Sequence, residues 1–208
     1  MVSKEYILES SIRLFGVRGC KAVTMDDIAA ECGISKRTLY EQFADKSQLL
    51  NECISLIGRH SDERLEEIRS RSGNVLEFLI SLHRSQAETR FKFYDGFFRD
   101  VKKYYPEVYA GLVTKIRKSQ FENNRKLIEA GQKQGIFLRF LNVDMVATVI
   151  SETINIIKES KIGLDLSFDR KEFLLHTMFL YLRGMSTSKG MAIIDSYVDG
   201  LGNKEKIK

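Results

Sequence analysis

The sequence predicts an all-α protein, with an N-terminal three-helix helix-turn-helix head and a larger helical domain behind it. Three observations lead there. A single proline, Pro106, and 14 glycines interrupt 208 residues, and so few breakers among many Leu, Ile, Lys and Glu favour long helices over an all-β fold. Apolar residues recur close to a 3.6 period through most of the chain. Two short helical stretches meet at Gly33, the punctuation of a helix-turn-helix unit. At 43% hydrophobic and 29% charged, the chain can bury a real core and is no disordered tail.

The elements follow in order. Ser3 caps a first helix carrying Tyr6, Ile7, Ile12, Leu14 and Phe15, closed by Gly16 and Gly19. Thr24, with Asp27 three residues on, is a capping box for a short helix from Met25 to Cys32. Gly33 supplies the left-handed turn, Ile34 plugs it, and Ser35 caps a third helix through Gln42. Asp45 caps a fourth, running from Lys46 to about Arg71. From Gly73-Asn74 to Gly135 three helices are expected, divided near Arg90 and Tyr105, with Pro106 in the first turn of the last. Asn142 caps a helix to about Lys161; Gly163 to Ser167 is a loop; a further helix spans about 169–188. A last helix runs from Gly190 to about Val198, and Gly200 to Lys208 reads as a frayed tail.

Charge excludes some partners and leaves others open. The net charge is +5, but residues 1–50 are neutral, and the excess lies on 101–150, where Lys115, Arg117, Lys118, Arg125, Lys126 and Lys133 read as a solvated helix face. No apolar run approaches the roughly 20 residues of a membrane span, and the polar N-terminus is not a signal peptide. The three cysteines, Cys20, Cys32 and Cys53, lack metal or redox spacing and suit reduced thiols. A cytoplasmic protein without membrane partner is expected. His60, His83 and His176 stand apart in sequence. No nucleophile–base pair, metal set or phosphate-binding glycine loop is present, so neither enzyme activity, nor a metal, nor a cofactor is expected.

The third helix places Leu39 and Phe43 inward, four apart, and Lys36, Arg37, Thr38 and Tyr40 outward. Cations neutralise phosphates or read guanine edges, and hydroxyls donate to phosphate oxygens. Lys46 opens the next helix, whose free N–H groups also attract a phosphate. The run Val23-Thr24-Met25-Asp26-Asp27-Ile28-Ala29, then Gly33-Ile34-Ser35-Lys36-Arg37-Thr38-Leu39-Tyr40 and on through Phe43-Ala44-Asp45-Lys46 to Leu49-Leu50, resembles the DNA-binding head of the TetR family of bacterial transcriptional regulators. The likeness covers about the first 50 residues; beyond them only the architecture agrees. It implies a homodimer, a head (residues 1–46) on double-stranded operator DNA, and a body (47–208) for dimerisation and a small-molecule effector. Carried over, Thr24, Ser35, Thr38, Tyr40 and Lys46 contact phosphates, and Lys36 and Arg37 lie at or near base edges. The family often has a small residue at one of the last two positions, and two long cations favour backbone attraction.

In the body, residues 91–109 hold eight aromatics, among them Tyr94, Phe97 and Phe98. Most of these are expected to fill core, and a minority to wall a small-molecule pocket. His83, Gln86 and Arg90, spaced to share a helix face, are its polar candidates, and Arg90 favours a carboxylate-bearing ligand. Helices 142–161 and 169–188 are apolar on more than one face. They read as a central core or, following the resemblance, as a two-fold four-helix interface with Val149 and Leu180 at interface positions. The leading function is a repressor released from its operator by an effector. The alternative is a helix-turn-helix protein whose body binds a protein partner: a continuous apolar cavity favours the first, a filled core with an exposed apolar patch the second.

Overall fold

A computed structural model describes residues 2–86, 91–159 and 170–205. Among them run ten α-helices and no strand. They are α1 (Lys4–Arg18), α2 (Met25–Glu31), α3 (Lys36–Gln42), α4 (Lys46–Ser70), α5 (Val75–Gln86), α6 (Phe91–Tyr104), α7 (Pro106–Lys133), α8 (Val143–Glu159), α9 (Arg170–Met185) and α10 (Ser188–Glu205). The all-α class and the head's three helices stand as the sequence predicts. The C-terminal expectation needs correction: α10 continues past Val198 through the expected frayed tail to Glu205. Its buried Ile194 and Tyr197, the stacking of Tyr197 on Phe179 at 6.0 Å and the Arg183–Asp195 ion pair anchor the helix, which then tolerates glycines costing about 1 kcal/mol each. The expected loop Gly163 to Ser167 lies outside the described residues.

The chain forms two compact units, Met1–Arg71 with Ser81–Lys115, and Ser72–Ile80 with Ile116–Lys208. In the first, Ile7, Phe15, Ile28, Leu39, Phe43, Leu49 and Leu50 of the head and α4 share one apolar core with Phe97 and Val101 of α6 and Val108 of α7. Tyr6, expected on the buried stripe of α1, is instead 47% exposed. Asp100 of α6 reaches into the loop after α1, its Oδ2 accepting from the Cys20 N–H at 2.8 Å. Gly19, at φ +81°, has no room there for a Cβ beside that carboxylate.

In the second unit Leu76, Ile136, Phe137, Leu182, Met185 and Ile194 make the core. Phe137 lies flat over Gly131, where any side chain would collide with its ring. The 136–138 stretch is tied to the end of α9 by Leu138 N–H to Met185 O at 2.9 Å and Thr187 N–H to Ile136 O at 2.8 Å. Helices α8 and α9 are not the enclosed central helices that their composition allows. Ala147, Ile157, Leu182 and Met185 are buried, while Met145, Val149, Ile156 and Leu180 stand open.

Candidate functional site

The helix-turn-helix is assembled by its caps. Thr24 Oγ1 accepts from the Asp27 N–H at 3.1 Å, and the Asp27 carboxylate accepts from the Thr24 N–H at 2.8 Å and its hydroxyl at 2.6 Å. These hydrogen bonds, with Arg18 nearby, hold the Asp27 carboxyl below its ordinary range. Gly33 takes φ +64°, the left-handed turn that admits glycine without penalty. Ile34 then bonds back to Ala29 O at 3.0 Å and packs on the core. Ser35 Oγ accepts from the Thr38 N–H at 3.0 Å, which opens α3. Leu39 and Phe43 are fully buried. The opposite face of α3 carries Lys36, Arg37 and Tyr40 into solvent.

Each expected contact residue has a definite setting in the free protein. Lys36 is paired with Asp26 of α2. Arg37 Nε donates to Glu41 Oε1 at 3.0 Å while its side chain is 90% exposed. Tyr40 is half exposed. The Thr24 hydroxyl proton is given to Asp27, and Ser35 and Thr38 share one hydroxyl–hydroxyl bond of 2.9 Å. Lys46, expected beside a phosphate, points inward. Its Nζ donates to Val23 O and lies 5.9 Å from the Phe15 ring centroid and 5.5 Å from that of Tyr105. Two electron-rich ring faces and a loop carbonyl give the ammonium an intramolecular seat.

The acidic partners escaped sequence reasoning. Glu41 lies four residues after Arg37, a spacing that signals a helical ion pair. Asp26 reaches Lys36 only because Gly33 folds α2 against α3, and no sequence rule announces it. Arg13–Glu31 at 2.8 Å and Arg18–Asp27 at 3.3 Å continue the pattern. The head thus presents its cations already paired at the surface, where each pair is worth little and exchanges readily for a phosphate.

Of the expected pocket residues, Phe97 is fully buried in the core of the first unit, 6.0 Å from Phe15 and edge-on to Phe98 at 5.2 Å. Phe98 is half-buried against the same core. Arg90 and the side chains of His83, Gln86 and Tyr94 lie outside the described residues. None of the six lines the open groove of about 450 Å³ between Ser47 and Asn51 of α4 and the Tyr104–Val108 corner. The thiols are inert: burial, and then the charge of Asp100, push Cys20 up to about 12, and burial raises Cys53 and Cys32 as well. Among the described residues no helix is long and apolar enough to cross a membrane.

A capped helix-turn-helix with two cations and a phenol on the outer face of its second helix, joined to an all-helical body, defines the class: a DNA-binding transcriptional regulator. Residues 7–53 match the family model for bacterial regulatory proteins, tetR family. An uncharacterised HTH-type transcriptional regulator, YerO of Bacillus subtilis, is 48% identical over 56 residues, which are 26% of this chain and 19% of that one. That likeness is confined to the head, and the chain spans less than a fifth of that relative. The HTH-type transcriptional repressor KstR2 of Mycobacterium tuberculosis is 28% identical over 155 residues, covering 71% of this chain and 75% of that one. A crystal structure of a protein from Saccharomonospora viridis in complex with choline shares the fold, with a TM-score of 0.64, 21% identity and coverage of 87% and 96%. The chain is a transcriptional regulator of the TetR family.

Proposed function

We propose that the protein is a dimeric repressor, released from double-stranded operator DNA by a small-molecule effector and acting in the cytoplasm. The observation carrying the DNA reading is the exposed row Lys36, Arg37 and Tyr40 on a helix whose other face is locked into the core. In this reading residues 1–46 are the DNA-binding head. Lys36 and Arg37 exchange Asp26 and Glu41 for phosphates or base edges, and Tyr40, Ser35, Thr38 and the capping Thr24 flank them on the backbone. Lys46 leaves that set, because its ammonium is engaged inside the unit.

Residues 47–208 form the dimerising, effector-binding body. Met145, Val149 and Ile156 recur along one side of α8 at spacings of four and seven, and Leu180 of α9 is 75% exposed. Fully burying such a side chain is worth about 1.5–3 kcal/mol. A second copy of this chain is the partner that satisfies two-fold closure and presents two heads to two half-sites. An unrelated protein on the same face is the second reading, and the exposed apolar patch is what keeps it. The effector acts through different affinities for DNA-bound and released states. KstR2 is named a repressor and the Saccharomonospora viridis protein holds choline, which supports both parts of the proposal. His83, Gln86, Arg90, Tyr94 and Phe98 remain pocket proposals, with Phe97 behind them in the core.

Selection of bound duplexes from a random library tests the function. The expected product is a two-fold symmetric site whose half-site centres lie roughly 34–36 Å apart, one DNA turn. Recovery of no preferred or symmetric sequence, with sedimentation showing a folded monomer at micromolar concentration, rejects it.

A further inference from the structure

Inside the second unit, the seam between α7 and α8 is built from neutral polar side chains where packing alone would favour apolar ones. Gln120 and Asn124 lie four apart on α7; Ser151 and Asn155 lie four apart on α8. Gln120 Nε2 donates to Ser151 O at 3.2 Å, and Asn124 Nδ2 donates to Ser151 Oγ at 2.9 Å. Ser151 is 4% exposed and Asn155 7%. One turn along from Ser151, Asn155 makes no hydrogen bond among the described residues. Yet no fully buried side-chain polar atom there lacks a partner, so the Asn155 amide still touches accessible space. An amide more than nine-tenths covered, unbonded and facing a crevice has a cost of about 1–3 kcal/mol that packing does not return.

Ser151 already fixes the α7–α8 register, so register does not explain Asn155. The remaining capacity is that of neutral groups: the two amide hydrogens and the oxygen of Asn155, and the side-chain oxygens of Gln120 and Asn124. No ion pair reaches these four side chains among the described residues; the nearby cation Arg125 is held by Glu129 and Asp144, each at 3.0 Å. Ala147 and Ile157, buried on the same helix, make the flanks apolar. We infer that Gln120, Asn124, Ser151 and Asn155 form a ligand-binding site for an uncharged hydrogen-bonding group (a hydroxyl, carbonyl or carboxamide) on an otherwise apolar small molecule, an inference that rests on the effector reading above. It differs from the carboxylate expected from Arg90, because amides pair with neutral polar groups without having to desolvate a charge.

Thermal melts of the full chain titrated with octanamide and with octanoate, one chain length with a neutral and a charged head, test it. Octanamide at saturation is expected to raise the wild-type midpoint by roughly 3–6 °C, and octanoate to raise it far less. Asn155→Leu, which exchanges an unpaired amide for an apolar group of similar volume, is expected to melt at or above the wild type and to lose the octanamide response. Should the leucine variant not fold, Asn155→Ser is expected to fold and to lose most of that response. An octanamide response undiminished in these variants, or octanoate stabilising as strongly as octanamide, overturns the site. A response to octanoate alone, unaffected by position 155, rejects this site and keeps an effector site elsewhere. No response to either probe rejects the site and counts against the effector reading too.

Discussion

Replacing Lys46 with methionine separates a phosphate ligand from an internal strut. The ammonium of Lys46 donates to the Val23 carbonyl and sits over the rings of Phe15 and Tyr105 at 5.9 and 5.5 Å. Methionine keeps the stem and its packing but removes the charge and the donor. The lost charged hydrogen bond is worth about 1.5–3 kcal/mol and each ring contact about 0.5–1 kcal/mol, offset in part by rehydration avoided and by sulfur–ring contacts. A net destabilisation of about 2 kcal/mol lowers the melting midpoint by roughly 4–8 °C in a chain of this size. A side chain that neutralises no phosphate leaves the salt dependence of DNA binding unchanged, whereas loss of one phosphate contact lowers the slope of log K against log salt by about 0.9. Fluorescence anisotropy on one fixed duplex at several salt concentrations reads the slope, and calorimetry reads the midpoint. A slope reduced by about 1 with an unchanged melt would refute the strut and restore Lys46 to the DNA-contacting set.

Asp26→Asn and Glu41→Gln, which unpair Lys36 and Arg37, are expected to tighten binding to non-specific duplex several-fold at low salt, an effect that fades as salt rises; unchanged affinity at low salt would mean these cations do not meet DNA. Val149→Glu and Leu180→Lys are expected to give folded monomers by sedimentation, because those side chains are 50% and 75% exposed in the single chain and a charge there costs the fold little; persistent dimers would place the interface elsewhere. Thr24→Val removes the cap of α2 and is expected to cost about 1 kcal/mol with weaker binding to all duplexes. Because hydrogen bonds from Thr24 lower the Asp27 pKa in the folded state, their stabilisation is present above the unfolded value, about 3.9, and fades as pH falls through the lower folded value. The difference in melting midpoint between wild type and Thr24→Val should therefore narrow in acid below about pH 4, and a gap that widens there would contradict the capping box.

The helix-turn-helix was legible because its signals are local. Thr24 and Asp27 form a cap within four residues, Gly33 is needed wherever φ turns positive, and Leu39 and Phe43 share a face by helical period alone. The same locality placed Pro106 at the start of α7 and Asn142 ahead of α8. The stripe on α8 and α9 was visible as excess apolarity, since composition records how much must be covered; which residues stay open, Val149 and Leu180 among them, depends on which faces the chain itself covers. Where the cations point was decided only in three dimensions. Lys46 reads as a free charge at a helix start until Tyr105, almost sixty residues away, supplies a ring. Lys36 reads as unpaired until the turn brings Asp26 across. Phe97 reads equally as pocket wall or core until Phe15 packs on it. Cap, turn and period act over a few bonds and leave their mark in adjacent letters. Ion pairs, ring contacts and a buried amide such as Asn155 depend on distances between segments remote in sequence, which exist only once the helices have packed.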